Sequence, residues 1–524
     1  MMSNGEIRSV IVLGGGSAGF IAALTLKAKH PNLSVTVIRS KEIGIIGVGE
    51  GTTPAVPTHL HGYIGLDSTE FYKKAQPTWK LGIRFLWGPR PHFDYTFGRQ
   101  CDWKYHALPR NNAFYCNEEF QYADMLSALM SHNRVFMRQK SGFPLVRRVF
   151  GYHIENEKFV GVLESNAGKY GVEVMDDTVE EVMQDENGVT GLRMKSGATL
   201  KADLYVDCSG FRSVLLHQTL GEPYISFKSS LFCDRAIAGG WDRTDEPVKP
   251  YTTSETMDAG WCWQIEHLTR IIRGYVYSSD FISDADAERE IRAKNPKLGD
   301  LRVVKFPSGR YRDSWVKNVI AVGNASGFVE PLEATSLAII CSESRHLSET
   351  LKDCHYKVTP SMKKSYNIFA NRAWDNIRQF LALHYKFNNR VDTAFWKACL
   401  EKTDLCDAAG ITEYYQENGP STHCRNTLLK TTDMFGMEGY LTMFTGMKVP
   451  HKFKYEPSTS ELRVWNWIRA RYRAKALAAM PIPQAYRAVT SPAWKWNPNF
   501  YGQKEPVQGI PKQPTYANTG DEPL

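Results

Sequence analysis

The sequence predicts an α/β fold, with a Rossmann-type parallel sheet in the first part of the chain and a helical region after it. Three observations predict it. A glycine-rich turn, Gly14-Gly15-Gly16-Ser17-Ala18-Gly19, lies between an apolar β-branched run and an Ala- and Leu-rich segment. Two further apolar strands, near residues 206 and 322, each end in small residues as if returning to the same sheet. From about Ser342 the β-branched runs thin out and long polar–apolar segments take over, as helices do.

Ser9-Val10-Ile11-Val12-Leu13 is short, apolar and β-branched, and reads as the first strand. Phe20 to Lys27 reads as the helix after the turn, and Leu33 to Ile38 as the second strand, completing a β-α-β unit. Phe159-Val160-Gly161-Val162-Leu163, Gly171 to Val174, Leu204-Tyr205-Val206 and Val319 to Val322 are read as further strands. Asn187-Gly188 and Ser196-Gly197 supply turns between them. After Pro457, Ser458 and Glu461 have capping-box spacing, which predicts a helix with Leu462, Trp465, Ile468 and Tyr472 on one face. Arg463, Arg469, Arg471, Arg473 and Lys475 then form its solvated side. The last stretch, 481–524, holds eight prolines and reads as an extended tail that trails in solvent or straps a surface.

Composition narrows the function classes. The chain has 524 residues, 64 Lys+Arg against 56 Asp+Glu, and a formal charge of +8. That charge is mild and dispersed, so nucleic acid is not an expected partner. No apolar run approaches the ~18 residues of a membrane span, and Met1 to Val10 has no apolar signal core. Ten cysteines are scattered without a C-x-x-C pair or zinc-finger spacing, so no metal site is expected and a reduced, cytoplasmic setting is. Thirteen tryptophans are many for a plain α/β enzyme and call for a reason.

The glycine turn carries the first chemistry. Gly14 permits the tight turn, Gly16 lets the backbone approach a pyrophosphate, and Gly19 allows close helix packing. The amides of Ser17 and Ala18 open the helix, whose N-terminus attracts phosphate charge. The second strand ends in Arg39-Ser40 rather than the usual acid for ribose hydroxyls. Ser40 or Glu42 can substitute, and Arg39 keeps a 2′-phosphate reading open. The returning strands at Asp207-Cys208-Ser209-Gly210 and Gly323-Asn324-Ala325-Ser326-Gly327 turn the balance toward FAD and a monooxygenase-like core. Asn324 offers an acceptor for a ribityl hydroxyl. The loop Gly47-Val48-Gly49-Glu50-Gly51, with glycine at alternate positions, suggests backbone lying close to a flat ligand.

Three further stretches carry reactive groups. Lys80 sits in Thr78-Trp79-Lys80-Leu81-Gly82, where it is either a surface residue of an edge strand or, if desolvated, a reactive amine or donor. Trp261 and Trp263 in Gly260-Trp261-Cys262-Trp263-Gln264-Ile265-Glu266 point the same way on a strand and either pack a core or line a passage. Glu333 in Glu330-Pro331-Leu332-Glu333-Ala334-Thr335-Ser336 is either a solvated helix-start acid or an acid/base group beside an anion pocket.

Together, the glycine loop, the Ile46–Pro54 loop, Lys80, the Trp-x-Trp-x-Ile stretch and the Pro331–Ser336 segment resemble the flavin-dependent halogenases of the tryptophan and indole branch. The resemblance spans roughly the first 350 residues in family order. It implies that FAD, supplied as FADH2 by a separate flavin reductase, works with O2 and a halide ion to make hypohalous acid. Lys80 would hold that reagent by hydrogen bond or as a haloamine. Glu333 would polarise it or take the proton from the ring. Thr335 and Ser336 would bind halide through their amides. Trp261 and Trp263 would line the passage between flavin and substrate. The substrate is expected to be a small electron-rich aromatic, indole-like or phenolic, with Tyr95, Phe97, Tyr440 and Trp467 as its contacts.

The chain departs from the family at Glu266 (usually Pro), Ala334 (usually Ser), Ser336 (often Gly) and Tyr95 (commonly His). Gly439-Tyr440 offers one of the paired tyrosines that clamp the amino-acid end of free tryptophan, so a simpler arene is expected. The alternatives are an FAD-dependent aromatic monooxygenase and a catalytically silent flavin-binding protein. The expected organisation is an FAD-binding core with an interleaved substrate sheet over 1–345, a helical cap over 346–480 and the tail over 481–524. The oligomeric state is left open, with a homo-oligomer among the options.

Overall fold

The computed structural model describes residues 6–44, 49–430, 432–497 and 499–501. A six-stranded sheet runs in the order Glu173–Asp176, Ser34–Arg39, Ser9–Leu13, Leu204–Asp207, Val319–Ala321, Trp315–Val316. The first five strands are parallel and the last is antiparallel. The Ser17–Lys29 helix, buried from Gly19 to Leu26, and the Ser336–Asp353 helix pack together in the core of this sheet. Parallel strands covered by helices explain the unbroken apolar runs in the sequence.

A second, seven-stranded sheet runs Arg302–Lys305, Arg235–Asp242, Arg270–Tyr277, Gly260–Glu266, Thr252–Met257, Gly82–Leu86, Phe93–Thr96. Every residue of the Gly260–Glu266 strand is buried. The long helix Pro360–Phe387 and the helices Ala394–Lys402 and Gly436–Gly446 share a core with this sheet. Trp79 and Leu81 belong to the first core, whereas Ile83 and Phe85 belong to the second. The Thr78–Lys80 strand therefore lies where the two cores meet.

Several sequence expectations hold in detail. Ser458 and Glu461 form the capping box of the Thr459–Leu477 helix, whose buried residues include Trp465 and Ile468. Leu462 differs from expectation and is exposed. The Phe159–Leu163 segment is corrected: it lies in the helix Asn156–Tyr170, not in a strand. Its buried residues Phe159, Val160, Leu163 and Ala167 follow helical spacing, and a run of only five apolar residues cannot tell the two states apart.

The described residues between Pro481 and Tyr501 lie across the first core. Ile482–Val489 is helical, Trp496 stacks on Tyr72 with ring centres 5.0 Å apart, and Tyr501 lies 4.9 Å from His61. Two of the surplus tryptophans, Trp494 and Trp496, are thus packing groups of this strap. Among the described residues no helix is long and apolar enough to cross a membrane, and no cluster of metal-ligating side chains occurs. All ten cysteines are free thiols.

Candidate active site

The glycine loop opens at the carboxyl ends of the parallel strands. The amide of Gly14 donates to the Ile38 carbonyl at 2.9 Å, that of Cys208 to Leu13 at 2.9 Å, and that of Val322 to Asp207 at 3.0 Å. Three crossovers are thereby fastened along one crest, the place where open parallel sheets bind ligands. Gly14 has φ +125, and a Cβ there would stand 2.2 Å from the Cys208 carbonyl oxygen. A Cβ on Gly19 would stand 1.8 Å from the Gly14 carbonyl. A Cβ on Gly16 would meet nothing within 4 Å.

Gly16 is the N-cap of the Ser17–Lys29 helix and no side chain caps it. Open space thus lies beside helix amides that lack a side-chain partner, as a pyrophosphate requires. The residues fit a dinucleotide: Ser17, Ala18 and Gly19 at the helix start, with Gly323 close by, where an added Cβ would lie 3.3 Å from that of Ala18. Asn324 follows Gly323 in a short 3-10 turn.

Other parts of this cradle are set by buried polar groups. Glu343 accepts from the Gly323 amide at 2.8 Å and from the Ser326 hydroxyl at 2.7 Å. Burial pushes the Glu343 carboxyl up to about 7 against those donors. Arg39 ion-pairs with Glu164 at 2.8 Å, and Ser40 accepts from the Thr178 hydroxyl at 3.0 Å. The Arg39 guanidinium thus has a carboxylate partner within the chain. Glu50 accepts from Asn156 at 3.0 Å, and burial raises its carboxyl above the usual range. A Cβ on Gly49, with φ +140, would lie 2.8 Å from Nε2 of His267. Gly47 and Val48 lie outside the described residues.

Lys80 is fully buried, which removes the edge-strand surface reading. Its strand pairs with Gly151–Ile154, Lys80 opposite Gly151. The ammonium nitrogen Nζ makes no hydrogen bond among the described residues and lies 5.5 Å from the centre of the Phe97 ring. A Cβ on Gly51 would be 3.3 Å from it. Burial pulls the Lys80 amine down to about 7, and the nearby Glu333 carboxylate opposes that shift. Glu333 is itself buried, 4% exposed, on the short turn Pro331–Glu333. Ala334 follows in the left-handed region at φ +55, a strained setting for a residue with a Cβ. That turn leads into Thr335, the N-cap of the Ser336–Asp353 helix, where no side chain caps the first amides.

Trp261 and Trp263 project from one face of their strand into the second core. The Trp261 indole N–H donates to Glu330 at 3.1 Å, and the Tyr385 hydroxyl also donates to that carboxylate. Burial pushes the Glu330 carboxyl up to about 7. Trp263 lies across Gly274 of the adjacent strand. Glu266, standing where the family usually has proline, is buried and ion-paired with Arg243 at 2.6 Å, and its carbonyl accepts from the Thr78 hydroxyl at 2.5 Å.

The predicted substrate contacts divide. Tyr95 lies 6.1 Å from Phe380, and a Cβ on Gly439 would be 2.8 Å from the Tyr95 hydroxyl. Phe97 faces Lys80 as above. Tyr440 is fully buried and its hydroxyl bonds with Asp433 at 3.2 Å and Gln379 at 3.3 Å. Trp467 is corrected: it stands on the outer face of its helix, 51% exposed, under the Arg471 guanidinium, and is no wall of a buried pocket. Exposed and buried tryptophans alternate too closely at 465 and 467 for spacing to choose between them.

Three contributors escaped the sequence. His384 on the long helix places Nε2 2.8 Å from Oε1 of Glu333. Glu330 and Glu343 hold the two ends of the segment between the flavin loop and the helix. Glu330 adjoins Pro331 but no sequence feature marks it as buried, and His384 gave no local signal, since 51 positions separate it from Glu333.

Sequence and fold comparisons with known proteins place the chain in one family. The family model described as tryptophan halogenase matches residues 9–461. The tryptophan 6-halogenase ThaL of Streptomyces albogriseolus is 32% identical over 424 residues, covering 75% of this chain and 79% of that protein. The tryptophan 7-halogenase KtzQ of Kutzneria sp. (strain 744) is 32% identical over 449 residues, covering 80% and 83%. Among solved structures, that of MibH, a lanthipeptide tryptophan 5-halogenase, superposes with a TM-score of 0.85 at 37% identity, covering 94% of this chain and 95% of that one. With matched sequence and matched fold over most of its length, the chain belongs to the tryptophan halogenase family.

Proposed function

We propose that this FADH2-dependent halogenase oxidises chloride or bromide and transfers the halogen, through Lys80, to an indole-like or phenolic ring. The observation that carries the reading is the buried Lys80 Nζ, without a hydrogen-bond partner among the described residues and beside Phe97. Bound reduced FAD, with O2, supplies the two-electron oxidation of halide to hypohalous acid. Gly14, Gly16, Ser17, Ala18, Gly19, Gly323 and Asn324 would hold the cofactor, with Arg39, Ser40, Gly49 and Glu50 at its edges. Thr335 and Ser336 would hold halide by their amides.

The chain's own chemistry follows from Lys80 and Glu333. As an ammonium, Lys80 donates a hydrogen bond to the oxygen of hypohalous acid. When the ring carbon attacks the halogen, the oxygen–halogen bonding pair stays on oxygen, Lys80 passes it a proton, and water leaves. Glu333 takes the proton that the halogenated carbon loses, and the C–H pair restores aromaticity. An amine near 7 is well matched to give up a proton at neutral pH. Trp261 and Trp263 keep the substrate ring away from the flavin.

Tyr440 is supported as a pocket wall rather than a clamp, because its hydroxyl already bonds with Asp433 and Gln379. An indole or phenol without a bound amino-acid end suits that arrangement. A separate flavin reductase would supply FADH2. The ten free thiols support a reducing cytoplasmic setting. The test is mass spectrometry of indole, phenol, tryptophan and tryptophanamide, each with FAD, NADH, a flavin reductase and chloride, bromide or no halide. Halide-dependent halogenated product is expected; hydroxylated product without halide would favour the monooxygenase reading, and no product with any arene the silent one.

A further inference from the structure

Glu333 does not act alone in the structure. Its Oε1 lies 2.8 Å from Nε2 of His384. The other ring nitrogen, Nδ1, lies 3.0 Å from the carbonyl oxygen of Phe380, one turn earlier on the same helix. His384 is fully buried, and its ring is boxed by Phe85 at 5.3 Å, Trp87 at 5.9 Å and Phe380 at 5.2 Å. It therefore has no freedom to turn toward water.

These contacts fix the number of protons. A carbonyl oxygen only accepts, so Nδ1 carries a hydrogen. A neutral imidazole with that tautomer has a bare lone pair on Nε2, and against a carboxylate oxygen two lone pairs would face each other at 2.8 Å. One additional proton must lie between Nε2 and Oε1. The pair is an imidazolium with a carboxylate, or an imidazole with a carboxylic acid whose proton is on Oε1. In both descriptions Oε1 is engaged, and Oε2 is the oxygen left for the substrate.

We propose that His384 is a positioning residue for Glu333: it holds Oε1 through the shared proton and so makes Oε2 the single basic atom presented to the halogenated ring. The inference rests on Glu333 being the proton acceptor. In the transfer step the ring C–H bond breaks, its electron pair returns to the ring, and its proton forms a bond to Oε2. The pair begins with one proton between Nε2 and Oε1 and ends with two, one on Nε2 and one on Oε2. The gained charge is that of the ring cation, so charge and protons balance. The proton is later released to water or to Lys80, which lost one to the departing oxygen.

A double-mutant cycle tests this. The rate is measured for wild type, Glu333→Gln, His384→Phe, His384→Gln and the double variant Glu333→Gln/His384→Phe. The substrate is whichever of indole, phenol, tryptophan or tryptophanamide turns over fastest with bromide. Phenylalanine suits the aromatic box and removes the hydrogen bond; glutamine retains a donor toward Oε1 but carries no titratable proton. Glu333→Gln is expected to lower kcat roughly 100-fold, the scale of general-base catalysis. His384→Phe is expected to lower kcat at least about tenfold with KM unchanged, and His384→Gln to recover part of that loss. The double variant is expected to be no slower than Glu333→Gln alone, because His384 works through Glu333.

The outcomes separate the two ideas. An unchanged rate in Glu333→Gln overturns the role of Glu333 itself. A slow Glu333→Gln with a wild-type His384→Phe overturns only the role of His384. Independent, multiplying losses in the double variant also overturn it, since they indicate a packing role. If His384→Phe does not fold, the same cycle with His384→Met, which likewise removes the hydrogen bond to Oε1, decides.

Discussion

The Trp263 indole lies against Gly274 on the neighbouring strand, where a Cβ would stand 2.2 Å from the ring. The two residues are directly paired across the sheet. Only glycine leaves the space in which this tryptophan rests, so the placement of Trp263, proposed to line the passage between flavin and substrate, depends on a residue with no side chain.

Gly274→Val is accordingly expected to push Trp263 out of place. Overpacking of this kind costs about 1–3 kcal/mol. A lowered Tm, an altered near-UV circular dichroism signal and a reduced yield of halogenated product per NADH consumed are expected. A variant with lowered Tm and altered near-UV signal but wild-type coupling would show that Trp263 has no part in the passage.

Lys80→Met should make the enzyme inactive and more stable. In the folded chain Lys80 titrates at about 7, well below the ordinary 10.5 of an unfolded lysine. The unfolded state therefore binds more protons between these values, and stability rises with pH across that window. Below about 7 the buried ammonium costs the fold its full penalty, and above about 10.5 nothing. Replacing it with an apolar side chain should stabilise by about 1–4 kcal/mol at pH 6, with the gain fading toward pH 10. Denaturant melts of both proteins at pH 6, 8 and 10 check this. The same titration predicts that wild-type kcat/KM falls as pH rises above about 7, as the ammonium donor is lost.

Gly16 and Gly19 should respond differently. Gly16→Leu fills open space, so the fold is expected to melt within about 0.5 kcal/mol of wild type. FAD affinity, read by fluorescence quenching, should fall more than about tenfold, which is 1.4 kcal/mol. Gly19→Ala forces a Cβ onto the Gly14 carbonyl and is expected to destabilise the fold itself. Equal FAD affinity in Gly16→Leu and wild type would displace the pyrophosphate from this helix end.

Trp496→Ala should loosen the strap that covers the Lys80 neighbourhood from behind. Trp496 stacks on Tyr72, whose hydroxyl accepts from the indole N–H of Trp79 at 2.7 Å. A loss of about 2 kcal/mol is expected for this half-buried ring, measured by thermal or denaturant melting. An unchanged Tm would mean that the strap contributes nothing to the core.

Much of this organisation was legible because it is local. Glycine spacing identified the turn between the first strand and the first helix, and Ser458 with Glu461 identified a helix start. Lys80 and the tryptophan pair were legible through family resemblance rather than pattern, since neither burial nor a missing partner is written in the sequence. His384 and Glu343 were invisible because their partners are supplied by the fold, across sequence separations that no periodicity reports. The Phe159–Leu163 helix was misread because five apolar residues suit both periods. Trp467 was misplaced because only packing separates it from Trp465.

The most direct test compares wild type with Lys80→Ala in the same reaction, with FAD, a flavin reductase, NADH, bromide and the best arene of the panel. Product is resolved by mass spectrometry, while FAD binding and O2 consumption are followed in parallel. The account predicts brominated arene from wild type and none from Lys80→Ala, with FAD binding and O2 consumption retained. Brominated product from Lys80→Ala at the wild-type rate would contradict it.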